Sequence, residues 1–404
     1  MKVAVDMISA GSGFGRSAGA MVVYYAGLLR GLLDVPSVKE IVALVSPWND
    51  GLAVPDDSRV RVATCSKLPR GRAGRIAYEQ TMLPLLAARS GADVLLSTCN
   101  VKPLVWTRPS VVVLQSLQYL HFPSSFSRVR STYLKAAVRL SLHAADAVIT
   151  VSEWERTQAI ELFGLDPSRV VTVHHGVSGA FAGRSPEPAA AERPQVAGGD
   201  PYVLMVSTLY GFKNHRRLIA AFANVVQRHH LSHRLVLVGG DADVTRVQLS
   251  ELAENHGIGS RVILTGALPH DDIPCLVAHA DAVAYPSLYE TFGLPVLEAM
   301  AFGRPLVTSD HGAMAEVAGG AAQLVRADDV GSIAQGIAAV LLDVDRRHEL
   351  MAAGPVRASQ FTWEACATKT AAVLENAVST HGRGRPAAAR MVLGGRRESG
   401  RPLG

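Results

Sequence analysis

Apolar residues alternate through Lys2–Ile8, give way to a glycine-rich stretch at Gly11–Gly19, and return at helical spacing through Met21–Leu33. A two-residue period followed by a 3.6-residue period predicts a strand, a loop and a helix in that order. The pattern recurs, with strands predicted at Glu40–Val45, Val94–Ser97, Ser110–Leu114, Ala147–Val151 and Val170–His174, and with segments such as Val129–His143 suited to helices. Between Ala182 and Pro201 the chain reads AGRSPEPAAAERPQVAGGDP, with four prolines and few apolar residues, which predicts a linker. Beyond it the winding restarts. Strands are predicted at Tyr202–Ser207, Arg234–Val238, Val262–Thr265, Ala282–Tyr285 and Leu306–Thr308, and helices from Arg216, near Gln248–Asn255 and from Pro295. A last helical segment, Thr362–Val378, follows the second half, and its place in the order suggests that it crosses back onto the first.

Strands alternating with helices build parallel sheets covered on both faces, so the fold class is α/β with two Rossmann-like, doubly wound domains facing each other across a cleft. The boundaries read as 1–182 for the first domain, 183–200 for the linker, 201–361 for the second domain, 362–379 for the crossing helix and 380–404 for a basic tail. Ligands in such sheets sit at the carboxyl ends of the strands, which is where chemistry is to be sought.

One stretch there is YETFGLPVLEAMAFG, Tyr289–Gly303. Pro286 stops the preceding strand, so Glu290 falls on the loop at its carboxyl end. Pro295 suits a first helical turn and Gly303 a helix stop, which predicts a helix from about Pro295 to Phe302. The N–H groups of Phe292, Gly293 and Leu294 then lie at the positive end of the helix dipole, a site for an anion, and Gly293 lets the anion approach the backbone. A carboxylate would repel phosphate, so Glu290 is better matched to sugar hydroxyls or a developing positive charge. Glu298, one turn into the helix, suits a diol such as ribose. Lys213 and Asn214, on the loop after Tyr202–Ser207, supply a compact cation for the same diphosphate. Acids are common at helix starts and a lone lysine is ordinarily solvated, but here they follow two strand ends of one domain.

Charge narrows the partners. The chain of 404 residues carries a formal charge of +5, and the tail accounts for all of it, with Arg383, Arg385, Arg390, Arg396, Arg397 and Arg401 against Glu398. A neutral body argues against a nucleic-acid binder with a broad basic face. The Gly-, Arg-, Pro- and Ala-rich tail reads as disordered. Cys65, Cys99, Cys275 and Cys366 are widely spaced with no CxxC pair, as expected of buried free thiols in a reducing compartment. No run of 18 apolar residues occurs, and Met1–Ile8 leads into a glycine loop rather than a cleavage site, so a soluble, cytoplasmic protein is expected.

Two other chemistries meet obstacles. The loop GSGFGRSAG invites a dinucleotide, but it lacks the third glycine of that fingerprint and the next strand ends in Ser46-Pro47 rather than an acid. Asp241-Ala242-Asp243 has a metal-chelating spacing, yet in the second domain it reads as loop solubility or a helix cap.

The stretches Ser17–Leu33, Ala144–Val177, Val206–Leu218 and Arg261–Asp329, above all Glu290 and Glu298 within PSLYETFGLPVLEAMAFGRPLVTSD, resemble glycosyltransferase family 4, whose members have the GT-B architecture. The resemblance covers nearly the whole folded chain. It implies transfer of a hexosyl group from a nucleotide-diphosphate sugar, GDP-mannose or a UDP-hexose, with retention of configuration and without a tightly bound metal. It places Glu290 on the donor sugar, Glu298 on the ribose, Lys213 on the pyrophosphate, and the Phe292, Gly293 and Leu294 amides on sugar and phosphates. The glycine loop matching Gly19 closes on the diphosphate. There are two departures. Thr208 stands where many relatives carry arginine, and Gln115-Ser116 stands where many carry His-Asp, so an acid–base role there is in doubt because an amide cannot carry a proton at neutral pH.

The mechanism implied is domain closure over donor and acceptor, with nucleoside diphosphate leaving through an oxocarbenium-like state and accepting the acceptor's proton on the same face. The acceptor, a glycan, a lipid-linked intermediate or a small natural product, belongs on the first domain. There Lys67, Arg70, Arg72 and Arg75 form a basic run that reads either as solvated surface or, with the tail, as peripheral contact with an anionic membrane. Two further readings share the fold: a nucleotide-sugar 2-epimerase, which needs no acceptor, and a catalytically silent nucleotide-sugar-binding protein.

Overall fold

A computed structural model describes residues 1–8, 19–48, 54–69, 71–181 and 195–382. The first domain is a seven-stranded sheet of β1 (Lys2–Met7), β2 (Glu40–Val45), β3 (Val60–Thr64), β4 (Val94–Ser97), β5 (Ser110–Leu114), β6 (Ala147–Thr150) and β7 (Val170–Thr172). Its order is β3-β2-β1-β4-β5-β6-β7. The second domain is a six-stranded sheet of β8 (Tyr202–Val206), β9 (Arg234–Val238), β10 (Val262–Gly266), β11 (Ala282–Tyr285), β12 (Leu306–Ser309) and β13 (Gln323–Val325). It runs β10-β9-β8-β11-β12-β13, and the strand pairs of both sheets are parallel. Strands buried on both faces, such as Val94–Ser97 and Ser110–Leu114, are apolar almost throughout and therefore legible in the chain. The two strands that periodicity did not predict are edges. β3 is largely exposed and carries Arg61, and β13 has three residues. With one side of the ladder open to water, an edge strand needs no apolar run.

The helix Trp363–Thr380 packs along the helix Gly19–Leu33 of the first domain. Two glycines make the approach close. A Cβ at Gly27 would lie 2.1 Å from the Trp363 ring, and one at Gly31 would lie 2.7 Å from the Trp363 carbonyl oxygen. Trp363 Nε1 donates to the Val177 carbonyl at 2.8 Å, and His381 bridges Asp146 and the Thr107 carbonyl, each at 2.8 Å. The chain thus returns to the first sheet after completing the second.

The glycine loop at 11–18, residues 183–194 of the linker and the arginine-rich tail from 383 lie outside the described residues, while the linker's last part holds the short turn Gln195–Ala197. Two expectations are corrected. Cys65 and Cys366 are buried, but Cys99 is only half-buried and Cys275 is exposed, because the helix Ile273–His279 turns that position outward. Arg75 does not belong to an open basic surface. It pairs at 3.2 Å with Glu79, one turn further along the helix Arg72–Arg89, on its largely buried face, where burial and the Glu79 charge push Asp6 up to about 7. Lys67 is exposed, while Arg70 and the Arg72 side chain lie outside the description.

Candidate active site

The second sheet reverses its winding between β8 and β11, and the loops after those two strands converge there. After β8 a short turn, Gly211–Lys213, leads through Asn214 into the helix His215–Arg228. Asn214 is left-handed, with φ of 71°, a conformation its short amide tolerates. Its Nδ2 donates to the carbonyls of Pro286 at 2.9 Å and Ala327 at 2.6 Å, so one buried amide ties the β8 loop to those after β11 and β13. Thr208 is half-buried at the end of β8. A Cβ at Gly239 would fall 1.8 Å from the Ser207 carbonyl oxygen, so only glycine lets β9 pass the end of β8 this closely.

This arrangement brings Lys213 onto Glu290. The two form an ion pair with side chains 15% and 12% exposed, and Lys213 Nζ also donates to the Tyr285 hydroxyl at 3.1 Å. Ser287 Oγ donates to Glu290 at 3.4 Å. Burial, then the Glu290 charge, pushes the Tyr285 phenol well above its ordinary range and keeps it a hydrogen-bond donor. His215, packed under the same loop, donates to or accepts from Ser207 Oγ at 3.0 Å; burial and then the Lys213 charge hold its pKa down to about 3, so it is neutral.

Gly293 has φ of 93°, and a Cβ there would meet Met314 Cε at 2.1 Å, so the position admits only glycine. The helix Leu294–Ala301 starts directly after it with Pro295 in its first turn. The Gly293 carbonyl accepts from the N–H groups of Val296 and Leu297. Phe292 is buried against His174, His175 and Phe361, which anchors the loop. Glu298 is 7% exposed, and burial alone raises its carboxyl to about 7.

In the first domain, Asn100 takes φ of 65° and its Oδ1 accepts the N–H groups of Gln115 at 2.6 Å and Ser116 at 3.3 Å. Gln115 Nε2 is buried with no hydrogen-bond partner among the described residues. The next N–H, that of Leu117, donates to the Tyr289 hydroxyl at 2.8 Å, so the Gln115–Ser116 loop sits against the residue preceding Glu290. Lys213, Asn214, Glu290, Phe292, Gly293, Leu294 and Glu298 therefore line one end of one sheet, and Gln115 and Ser116 approach from the other domain. Gly19 opens the first helix, with its loop outside the described residues.

The sequence reading missed Tyr285, Ser287 and Tyr289, although all three lie in or beside the stretch it singled out. It also missed the contacts between domains. Glu316, on the helix Gly312–Ala318, accepts the first N–H groups of the helix Glu153–Phe163, from Glu153 at 2.8 Å and Trp154 at 2.9 Å, and bonds His174 Nε2 at 2.7 Å. Burial opposes its charge, but the His174 ring and the two N–H groups outweigh that and hold its pKa below the usual range. A Glu316→Ala exchange removes three charge-assisted bonds and should cost about 2–3 kcal/mol of stability, read as a lowered Tm; an unchanged Tm would mean that the domains do not depend on this clasp.

Asp243 of the acidic pair is likewise committed between domains, accepting from Ser125 Oγ at 2.9 Å and from the Gly211 N–H at 2.7 Å, while Asp241 accepts from Arg246. Among the described residues, no three His, Cys, Asp or Glu side chains are grouped to hold a metal ion.

Residues 41–180 match the model described as Glycosyltransferase Family 4, and residues 187–357 match that described as Glycosyl transferases group 1. The chain is 32% identical over 265 residues to O-antigen chain mannosyltransferase B of Escherichia coli, covering 65% of this chain and 68% of that protein. It is 32% identical over 255 residues to D-inositol 3-phosphate glycosyltransferase 1 of Catenulispora acidiphila, 60% of each. Among solved structures, sucrose-phosphate synthase from Thermosynechococcus elongatus superposes with a TM-score of 0.70 at 18% identity, over 94% of this chain and 100% of that one. Anabaena HepE in complex with UDP-glucose superposes with a TM-score of 0.69 at 22% identity, over 93% and 100%. Two Rossmann-like α/β domains facing each other across a cleft define a GT-B-fold glycosyltransferase. The chain belongs to the retaining group 1 and family 4 glycosyltransferases, which transfer a sugar from a nucleotide-sugar donor to an acceptor.

Proposed function

We propose that the chain is a family 4 hexosyltransferase that uses GDP-mannose or a UDP-hexose and delivers the sugar to a glycan, lipid-linked or natural-product acceptor. The observation that supports this most directly is the Lys213–Glu290 pair at the switch point of the second sheet, beside the helix start at Phe292–Leu294. Without ligand the two charges neutralise each other. Donor binding separates them: the diphosphate takes Lys213 and the Phe292, Gly293 and Leu294 amides, and Glu290 turns to the sugar hydroxyls. Glu298 holds the ribose diol, with Thr208 and Asn214 shaping the phosphate side and the Gly19 loop covering it. As the glycosidic bond breaks, Lys213 stabilises negative charge on the leaving diphosphate, which accepts the acceptor's proton. Gln115 and Ser116 face the sugar from the first domain and hydrogen-bond it rather than moving a proton. No tightly bound metal takes part in this reading.

A thermal-shift screen of nucleotide sugars tests it, because a ligand stabilises by RT ln(1 + [L]/Kd). Stabilisation by GDP-mannose or a UDP-hexose, followed by product with retained configuration, is expected. Absence of any shift across the panel would remove the donor assignment, and epimerised donor in the absence of acceptor would favour an epimerase. The reading also includes a cytoplasmic location with peripheral membrane contact through Lys67 and the arginine-rich tail. Sedimentation with anionic liposomes that weakens as salt rises is expected; salt-insensitive binding, or none, would remove that part.

A further inference from the structure

Tyr289 belongs to the second domain but is enclosed mainly by the first. It is 6% exposed, and its ring centroid lies 4.9 Å from that of His121, 5.6 Å from Trp154 and 6.0 Å from Phe122. Its hydroxyl accepts the Leu117 N–H at 2.8 Å. Facing the same hydroxyl and N–H is Glu155, on the helix Glu153–Phe163, with no exposed surface. Burial pushes the Glu155 carboxyl up to about 8 although those two neighbours favour its charge, and neither of its oxygens has a hydrogen-bond partner among the described residues. Packing alone gives no reason for a wholly buried acid whose charge no cation among the described residues offsets, since an apolar side chain would fill the space at lower cost.

The covalent neighbours of this network are the groups assigned above to the reaction. Tyr289 directly precedes Glu290, and Leu117 directly follows Gln115 and Ser116. We propose that Tyr289 is a positioning residue: its hydroxyl, bonded to the Leu117 N–H beside the buried Glu155 and enclosed by first-domain rings, ties the loop that presents Glu290 to the loop that presents Gln115 and Ser116. The two faces of the cleft are set in register by one phenol, which touches neither donor nor acceptor. This rests on the transferase reading and adds to it a residue outside the donor-binding set.

The test compares Tyr289→Phe, Glu155→Gln and Glu155→Ala with the unmodified full chain. Tyr289→Phe keeps the ring and removes one oxygen. It should lower kcat tenfold or more while leaving donor KM, and the affinity for UDP or GDP measured by calorimetry, within threefold. Small-angle scattering of the free variant should show a larger radius of gyration as the domains part. Glu155→Gln, which retains a neutral hydrogen-bonding side chain, should restore kcat to within threefold of the unmodified chain, whereas Glu155→Ala should fall with Tyr289→Phe. Unchanged kcat and scattering in Tyr289→Phe would overturn the proposal. So would a loss in Glu155→Gln equal to that in Glu155→Ala, or a loss of nucleotide affinity matching the loss of kcat. If the unmodified chain consumes no nucleotide sugar, the transferase reading fails by itself, and the scattering comparison still decides whether Tyr289 ties the domains.

Discussion

Lys213→Ala lowers turnover at least a hundredfold, and the loss is larger in kcat than in donor KM. Removing one preorganised group that stabilises charge on a leaving group costs about 3 kcal/mol or more of barrier. In this protein the exchange has a second consequence, because Lys213 also balances Glu290, whose side chain is only 12% exposed. Removing one member of a largely buried ion pair strands the other and destabilises by about 3 kcal/mol or more. The two effects separate in a double variant. Lys213→Met with Glu290→Gln removes both charges, so its Tm should recover most of what Lys213→Ala loses while turnover stays low. Steady-state kinetics and thermal melts on the two variants decide the matter. A single variant that turns over normally would take Lys213 out of the reaction, and a double variant no more stable than the single one would show that the pair adds nothing to the fold.

Glu298→Gln should give a more stable protein that binds nucleotide poorly. The folded carboxyl is raised by burial to about 7 from a reference of 4.5. A raised acid binds its proton more tightly in the folded state, so its contribution to stability is present in full below pH 4.5. It falls as pH climbs through that window and levels off above about 7. The accumulated cost of keeping this acid buried is about 3 kcal/mol at pH 8. Glutamine is free of that cost, so melts of the two proteins should converge near pH 4.5 and separate steadily towards pH 7, with the variant higher. The opposite trend should appear in binding. A carboxylate that accepts hydrogen bonds from both hydroxyls of a ribose contributes about 1.5–3 kcal/mol, so UDP or GDP affinity should drop tenfold or more. A variant less stable than the parent at pH 8 would show that this carboxyl has a stabilising partner when ionised. Unchanged nucleotide affinity would move the ribose elsewhere.

Much of the local geometry of the candidate site was legible because its parts are close in the chain. Gly293 must be glycine, Pro295 marks the first turn of a helix, and Glu290 and Glu298 stand at fixed offsets from that turn, all within fifteen consecutive residues. Lys213 was legible for the same reason, as the residue after a strand and before a helix. The ion pair between Lys213 and Glu290 was not, since it depends on β8 and β11 being neighbours, and strand order is not written in periodicity. The reading of Asp241 and Asp243 as local loop residues missed Ser125, and the reading of Arg75 as surface missed Glu79 and Asp6 beneath it. The partner of Asp243 lies on another element, whereas Glu79 stands one turn along the same helix as Arg75 and it is Asp6, on the first strand, that the chain order conceals.

By itself the sequence determined the two windings, the strands buried on both faces and the position of the loop that carries Glu290, because each follows from side-chain periodicity and backbone propensity over a few residues. Only the tertiary structure decided how the halves meet: Tyr289 among first-domain aromatics, Glu316 on the start of a first-domain helix, and the last helix packed against Gly27 and Gly31. Those contacts join residues far apart in the chain, and their strength depends on burial and distance, which exist only once the chain has folded.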